Sequence, residues 1–161
     1  MERYLSENDF IVSKTDTSGR ITYGNRIFLE LAEFTEEELI GQPHSILRHP
    51  DMPKAIFQLL WERVKRKEEI FAYVVNRTKN GNHYWVYANV TASPDESDQV
   101  LGYYSVRRRP NPSALEIIKP LYKRMIEAER YGGISAGTAV LHKYLHEEGI
   151  SYDEYIIGIQ Q

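Results

Sequence analysis

IFAYVVNRTKNGNHYWVYANVTAS, residues Ile70 to Ser93, decides how this chain folds. Two runs rich in Val, Tyr and other strand formers flank Lys79-Asn80-Gly81-Asn82. Asn-Gly supplies the positive φ angles that a tight hairpin turn requires. IFAYVVNRT (Ile70 to Thr78) and HYWVYANVTAS (His83 to Ser93) are therefore the arms of an antiparallel hairpin. Beyond the polar loop PDESDQ, VLGYYSVRRR (Val100 to Arg109) reads as a further strand. Upstream, FIVSKT (Phe10 to Thr15) and RITYGN (Arg20 to Asn25) flank DTSG, in which Asp16 bonds its own backbone and Gly19 takes positive φ.

Helical signals fill the space between the two hairpins. Phe28, Leu29, Leu31 and Ala32 predict a short helix, and TEEEL predicts another, with Thr35 and Glu38 as a capping box and Gly41 as its stop. Ile56, Leu59, Leu60 and Val64, with Phe57 and Trp61 beside them, recur at helical spacing after Pro53, which suits a first helical turn. Segregated strands and helices give an α+β class: a five-stranded antiparallel sheet with short helices across one face, spanning residues 8–109. Such a sheet and its helices enclose a concave pocket between the layers. Residues 110–161 read as a helical extension: a stripe of Leu115, Ile118, Tyr122 and Met125, a kink at Pro120, a break at Gly132-Gly133, a helix over Thr138 to Glu148 and a last short one capped by Ser151.

Bulk properties exclude several classes. A chain of 161 residues with 42% hydrophobic and 27% charged residues builds one globular domain with a sizeable core. The net charge of -3 offers no electrostatic case for nucleic acid or an anionic membrane. With no cysteine, disulfides, thiolate metal sites and iron–sulfur clusters are excluded, which fits a reducing, cytoplasmic setting. MERYLSENDFIVSK lacks the apolar centre of a signal peptide, and no apolar run reaches the roughly 18 residues of a membrane span. His142 and His146 lie four apart on one helical face without a third ligand, so a solvated face is the expectation and no metal is assigned. No nucleophile elbow, phosphate loop or paired acid motif occurs, so no enzymatic activity is expected.

GQPHSILRHPDMPKAIFQLLW followed by NRTKNGNHYWVYANV resembles the PAS domain of bacterial aerotaxis receptors, with GQPH, RHPDMP, KNG and HYW in the same order. The resemblance spans about residues 10 to 109 and continues weakly into EIIKPLYKRMIEAER. It implies a PAS fold that holds FAD noncovalently and reports redox state to chemotaxis. Aerotaxis receptors continue into membrane, HAMP and signalling regions, whereas this sequence ends at Gln161. Its build is similar to the stand-alone PAS proteins of bipartite energy-taxis systems, which signal to a separate receptor. The implied protein is a cytoplasmic FAD-binding redox or energy sensor, drawn to the inner membrane only by its partner. That partner would be a membrane-bound or cytoplasmic chemotaxis receptor or signalling protein, and homodimerisation stays open. Two other readings of a PAS domain stand beside this one: a haem-binding oxygen sensor and a ligand-free interaction or dimerisation module.

Arg48, His49 and Asp51 in RHPDMP have two readings, a proline-stiffened turn that starts a helix, or donors for a charged ligand. A diphosphate needs charge-assisted donors, for which the planar guanidinium is well suited. In the family, the positions matching Arg48, His49 and Asp51 are required for FAD binding, and that matching Trp61 lies at the flavin pocket; by residue type alone Trp61 is equally a core aromatic. Tyr84 and Trp85 are neighbours on a strand, so one faces in and one out, with Trp85 the expected pocket residue. Asn76 and Asn89 lie inside strands, where Asn is depleted, and a buried amide must find partners such as the donor and acceptor edge of a flavin. Asn25 either contacts the ligand or caps the next helix.

Overall fold

The structure, a computed structural model, describes residues 1–161. In chain order its elements are β1 (Glu2–Arg3), β2 (Phe10–Asp16), β3 (Ile21–Gly24), α1 (Arg26–Ala32), α2 (Glu36–Leu39), a 3-10 turn (His44–Leu47), α3 (Lys54–Lys65), β4 (Ile70–Arg77), β5 (His83–Pro94), β6 (Val100–Arg108), α4 (Pro112–Glu148) and α5 (Tyr152–Gln160). Gly81 takes φ +86° in the β4–β5 turn. The Glu33 carboxylate anchors that turn by accepting from Asn80 Nδ2 at 2.6 Å and Asn82 Nδ2 at 2.9 Å. Thr35 and Glu38 form the expected capping box, and Asn25 caps α1.

β3, β2, β6, β5 and β4 lie side by side in that order, antiparallel throughout. A sixth strand was not expected from the sequence. β1 is only two residues long and pairs parallel to the start of β5, Glu2 with His83 and Arg3 with Tyr84. Its seat comes from Arg3, whose Nη1 donates to the carbonyls of Glu30 and Leu31 at the end of α1.

Strand parity sorts the side chains into two layers. On one face Ser13, Thr15, Val74, Asn76, Ala88, Val90, Ser105 and Arg107 look toward α3. On the other, Tyr73, Val75, Trp85 and Tyr87 meet the C-terminal helices, so the sheet is covered on both sides. The sequence-predicted stripe finds its apolar surface here: Ile118, Tyr122 and Met125 are buried on this face of the sheet, and the Tyr122 hydroxyl donates to the Tyr73 carbonyl at 2.6 Å. α4 keeps helical dihedrals through Pro120 and breaks at Gly133 (φ 71°, ψ -165°), with helix resuming at once rather than at Thr138. α5, capped by Ser151, buries Tyr152 and Ile156, and Tyr152 donates to the Phe71 carbonyl at 2.8 Å. No helix is long and apolar enough to cross a membrane.

Candidate functional site

Between α3 and the sheet lies a cavity of about 320 Å³. Its apolar walls come from Phe57, Leu60, Trp61 and Val64 on α3, facing Val74, Ala88, Val90 and Tyr103 on the strands. Trp61 meets Tyr103 edge-on, ring centroids 5.2 Å apart. Gly19 runs beneath that indole with φ +87°, and a Cβ there would touch the ring at 3.4 Å. The wall here is thus aromatic and closely backed by main chain.

Polar groups concentrate toward Arg107. Its side chain is 2% exposed, yet no carboxylate lies within ion-pair distance. It donates to the Ser13 hydroxyl at 2.5 Å, lies 3.4 Å (Nη1 to Nε2) from His44 and stacks over the Phe28 ring at 4.6 Å. Its Nε has no partner at all. Burial pulls the guanidinium down to about 10. Burial also pulls the His44 imidazole down to about 3, with the Arg107 charge adding to it, so His44 is neutral at physiological pH. Asn76, 3% exposed, sits beside Tyr84, its register neighbour on β5: neither its Nδ2 nor the Tyr84 hydroxyl makes a well-aligned hydrogen bond, although the Asn76 side chain is near enough to oppose the rise that burial gives the Tyr84 pKa. A buried polar group without a partner costs about 1–3 kcal/mol, so Arg107 and the weakly partnered Asn76, both lining the cavity, favour a ligand that brings acceptors.

The RHPDMP loop divides. Arg48 lines the cavity with its guanidinium over the Phe57 ring at 4.4 Å, and its backbone bridges to Asn76. His49 and Asp51 turn away from the cavity and build the loop. Asp51 N donates to His49 Nδ1 at 3.0 Å, and the imidazole packs against His83 with centroids 5.3 Å apart. Burial lowers the pKa of His49 below its ordinary value.

Trp61 and Asn76 stand where the sequence expects them, at the cavity. Trp85, Asn89 and Asn25 do not. Tyr84, not Trp85, shares the cavity face of β5, because that face carries the even-numbered residues Ala88 and Val90. Trp85 packs on Tyr122 of α4 with centroids 6.0 Å apart. Asn89 is on the same far face and donates to Glu69 Oε1 at 2.7 Å. Asn25 spends both ends of its amide, accepting from Phe28 N at 3.1 Å and donating to the Phe10 carbonyl at 2.9 Å. The sequence reading missed His44, Arg107, Ser13 and Tyr103. The signal for Arg107 was the alternation in YYSVRRR, which puts Tyr103, Ser105 and Arg107 on one face. No group of three or more His, Cys, Asp or Glu side chains is placed to hold a metal ion.

Comparison with known proteins follows the same lines. A family model described as PAS fold matches residues 21–107. The Aerotaxis receptor of Escherichia coli (strain K12) is 38% identical over 141 residues, 88% of this chain and 28% of the receptor. Phototropin-2 of Oryza sativa subsp. japonica is 23% identical over 123 residues, 76% of this chain and 13% of that protein. The chain thus spans less than a third of either relative. A solved light-oxygen-voltage domain, described in a study of a flavin analogue, superposes with a TM-score of 0.60 at 19% identity, covering 71% of this chain and 86% of that one. Since the PAS-fold match extends over more than half of the sequence and the strand order agrees with it, the chain belongs to the PAS family, as a domain of the aerotaxis-receptor type.

Proposed function

We propose that this PAS domain binds FAD noncovalently in the α3–sheet cavity and serves as a redox or energy sensor for a chemotaxis receptor or signalling partner. The observation that carries the reading is a cavity lined by the aromatic side chains of Phe57, Trp61 and Tyr103 together with the donor-bearing side chains of Asn76 and Arg107, the latter buried with its Nε unpartnered. A flavin ring system offers apolar faces to such walls and carbonyl and imine acceptors to such donors. At about 320 Å³ the cavity is near the lower end of ligand pockets. A ring system fits that volume, and the rest of a dinucleotide would lie outside it. Arg48, on the cavity wall with no carboxylate or hydrogen-bond partner, is the candidate phosphate donor, and the resemblance to aerotaxis receptors favours FAD among the flavins. His49 and Asp51 act on the ligand through the loop they hold.

A bound flavin would supply reversible electron transfer. The chain's own part is to hold the ring between Trp61 and the sheet, and to meet its acceptors with Asn76 and Arg107 beside a neutral His44. Those donors interact differently with an oxidised and a reduced ring, and only such a difference can shift the protein between states. The similarity to the aerotaxis receptor supports the chemotactic output. An axial imidazole for haem would have to come from His44, the one His lining the cavity, whose Nε2 already faces Arg107.

A visible spectrum of the purified protein, with chromatography of the chromophore released by heat, tests the proposal. Flavin bands and released FAD are expected. A Soret band would establish haem instead, and a colourless protein that takes up no added FAD would leave a ligand-free module.

A further inference from the structure

α3 begins without a cap of its own, because Pro53 occupies its N-cap and has no side-chain acceptor. The missing cap comes from the C-terminal extension. Glu129 of α4 accepts from Lys54 N through Oε1 and from Ala55 N through Oε2, both at 3.0 Å. The carboxylate thereby satisfies two of the open N–H groups at the positive end of the helix dipole. Close approach depends on Gly137, where an added Cβ would overlap the Glu129 carboxylate. Further along α3, Arg63 Nη1 holds both carboxylate oxygens of Asp153 on α5, at 3.2 and 3.0 Å. The helix that supplies one wall of the cavity is therefore tied to the extension at both ends.

We infer that cavity occupancy and docking of residues 112–160 are linked through α3, with Glu129 as a detachable cap. Phe57, Leu60 and Trp61 are only partly buried, so α3 lacks packing on its cavity side. A ligand that fills the cavity orders α3 and presents its first amides to Glu129. The cap in turn orders α3 for the ligand. Linkage of this kind is reciprocal, so the extension tightens ligand binding and the ligand tightens the extension. The inference rests on the FAD reading for its ligand, although the link itself belongs to the protein alone.

The experiment titrates FAD into flavin-free full-length protein and its variants, and follows amide hydrogen exchange over residues 134–160. Glu129→Ala removes the cap without touching the cavity and should weaken FAD binding by about two- to thirtyfold, the range set by loss of one cap. Glu129→Gln retains an acceptor and should fall between. Gly137→Ala favours helix yet displaces the carboxylate, so it should reproduce Glu129→Ala, and general unfolding would not explain that result. Exchange over residues 134–160 should slow when FAD is bound. Equal FAD affinity in all four proteins, or extension exchange indifferent to FAD, would overturn the link. Should the wild type bind no FAD, the flavin reading fails and Leu60→Ala carries the test instead. Loosening α3 from its cavity side should then speed exchange in the extension, and unchanged exchange would overturn the inference.

Discussion

His44 and Arg107 meet at 3.4 Å, and protonating the half-buried imidazole would set a second cation against the buried guanidinium. Burial first, and Arg107 second, hold the His44 pKa near 3, far below an ordinary histidine. In an unfolded chain the same imidazole protonates near pH 6.5. Between pH 6.5 and 3 the unfolded state therefore binds the extra proton, and stability falls as pH falls, by up to about 1.4 kcal/mol per pH unit from this one group. Above pH 6.5 the contribution is constant. His44→Gln removes it, so flavin-free His44→Gln should lose less stability than wild type between pH 7 and pH 4 in urea titrations. Carboxylates held low, such as Glu33 and Glu38, each near 2, are common to both proteins and drop out of the difference. Parallel stability curves would mean that His44 titrates in the folded protein as it does in water.

Among the elements, α4 has the most consequence for stability, because it covers what would otherwise be an exposed sheet face of Tyr73, Val75, Trp85 and Tyr87. Met125 is fully buried there at 0% exposure, so Met125→Ala should cost about 2–5 kcal/mol. Leu101→Ala, at a side chain 63% exposed, should stay within about 0.5 kcal/mol, and chemical denaturation of the two variants checks both values. This double covering also explains what could be read from the sequence and what could not. The hairpins, the succession of strands and helices along the chain and the capping box were legible, because Asn80-Gly81, Thr35 and Glu38 act through local chemistry. The facing of β4 and β5 was not. A strand with one wet face alternates polar and apolar residues, but the central stretches Ile70–Val75 and Tyr84–Ala88 are covered on both sides and carry no charged or amide side chain. Tyr84 and Trp85 were consequently indistinguishable, and Asn76 and Asn89 looked alike although they lie on opposite faces. Arg48 stood out in its proline-stiffened loop, whereas Arg107 was hidden in a run of three arginines whose other members are not walled in.

For the molecule as a whole, the absence of cysteine decides between two ways in which a flavin could report. A covalent photoadduct needs a thiol as nucleophile beside the ring. The cavity offers hydroxyls at Ser13, Thr15, Ser18, Ser45 and Ser105, and an alcohol is far less ionised than a thiol at neutral pH. Blue light on the flavin-loaded protein should therefore leave no adduct that decays in the dark, as followed by absorbance after a flash. Electrons should act where light does not: chemical reduction should bleach the visible bands and air should restore them. The change must travel from the ring to surfaces a partner can touch, and two routes leave the cavity. One runs along the strands through Asn76 and Arg107, the other along α3 to Glu129 and Asp153. Amide exchange compared between oxidised and reduced protein should differ along β4, β6 and residues 112–160. A reversible redox cycle with identical exchange in both states would keep the flavin and remove its role as the signal.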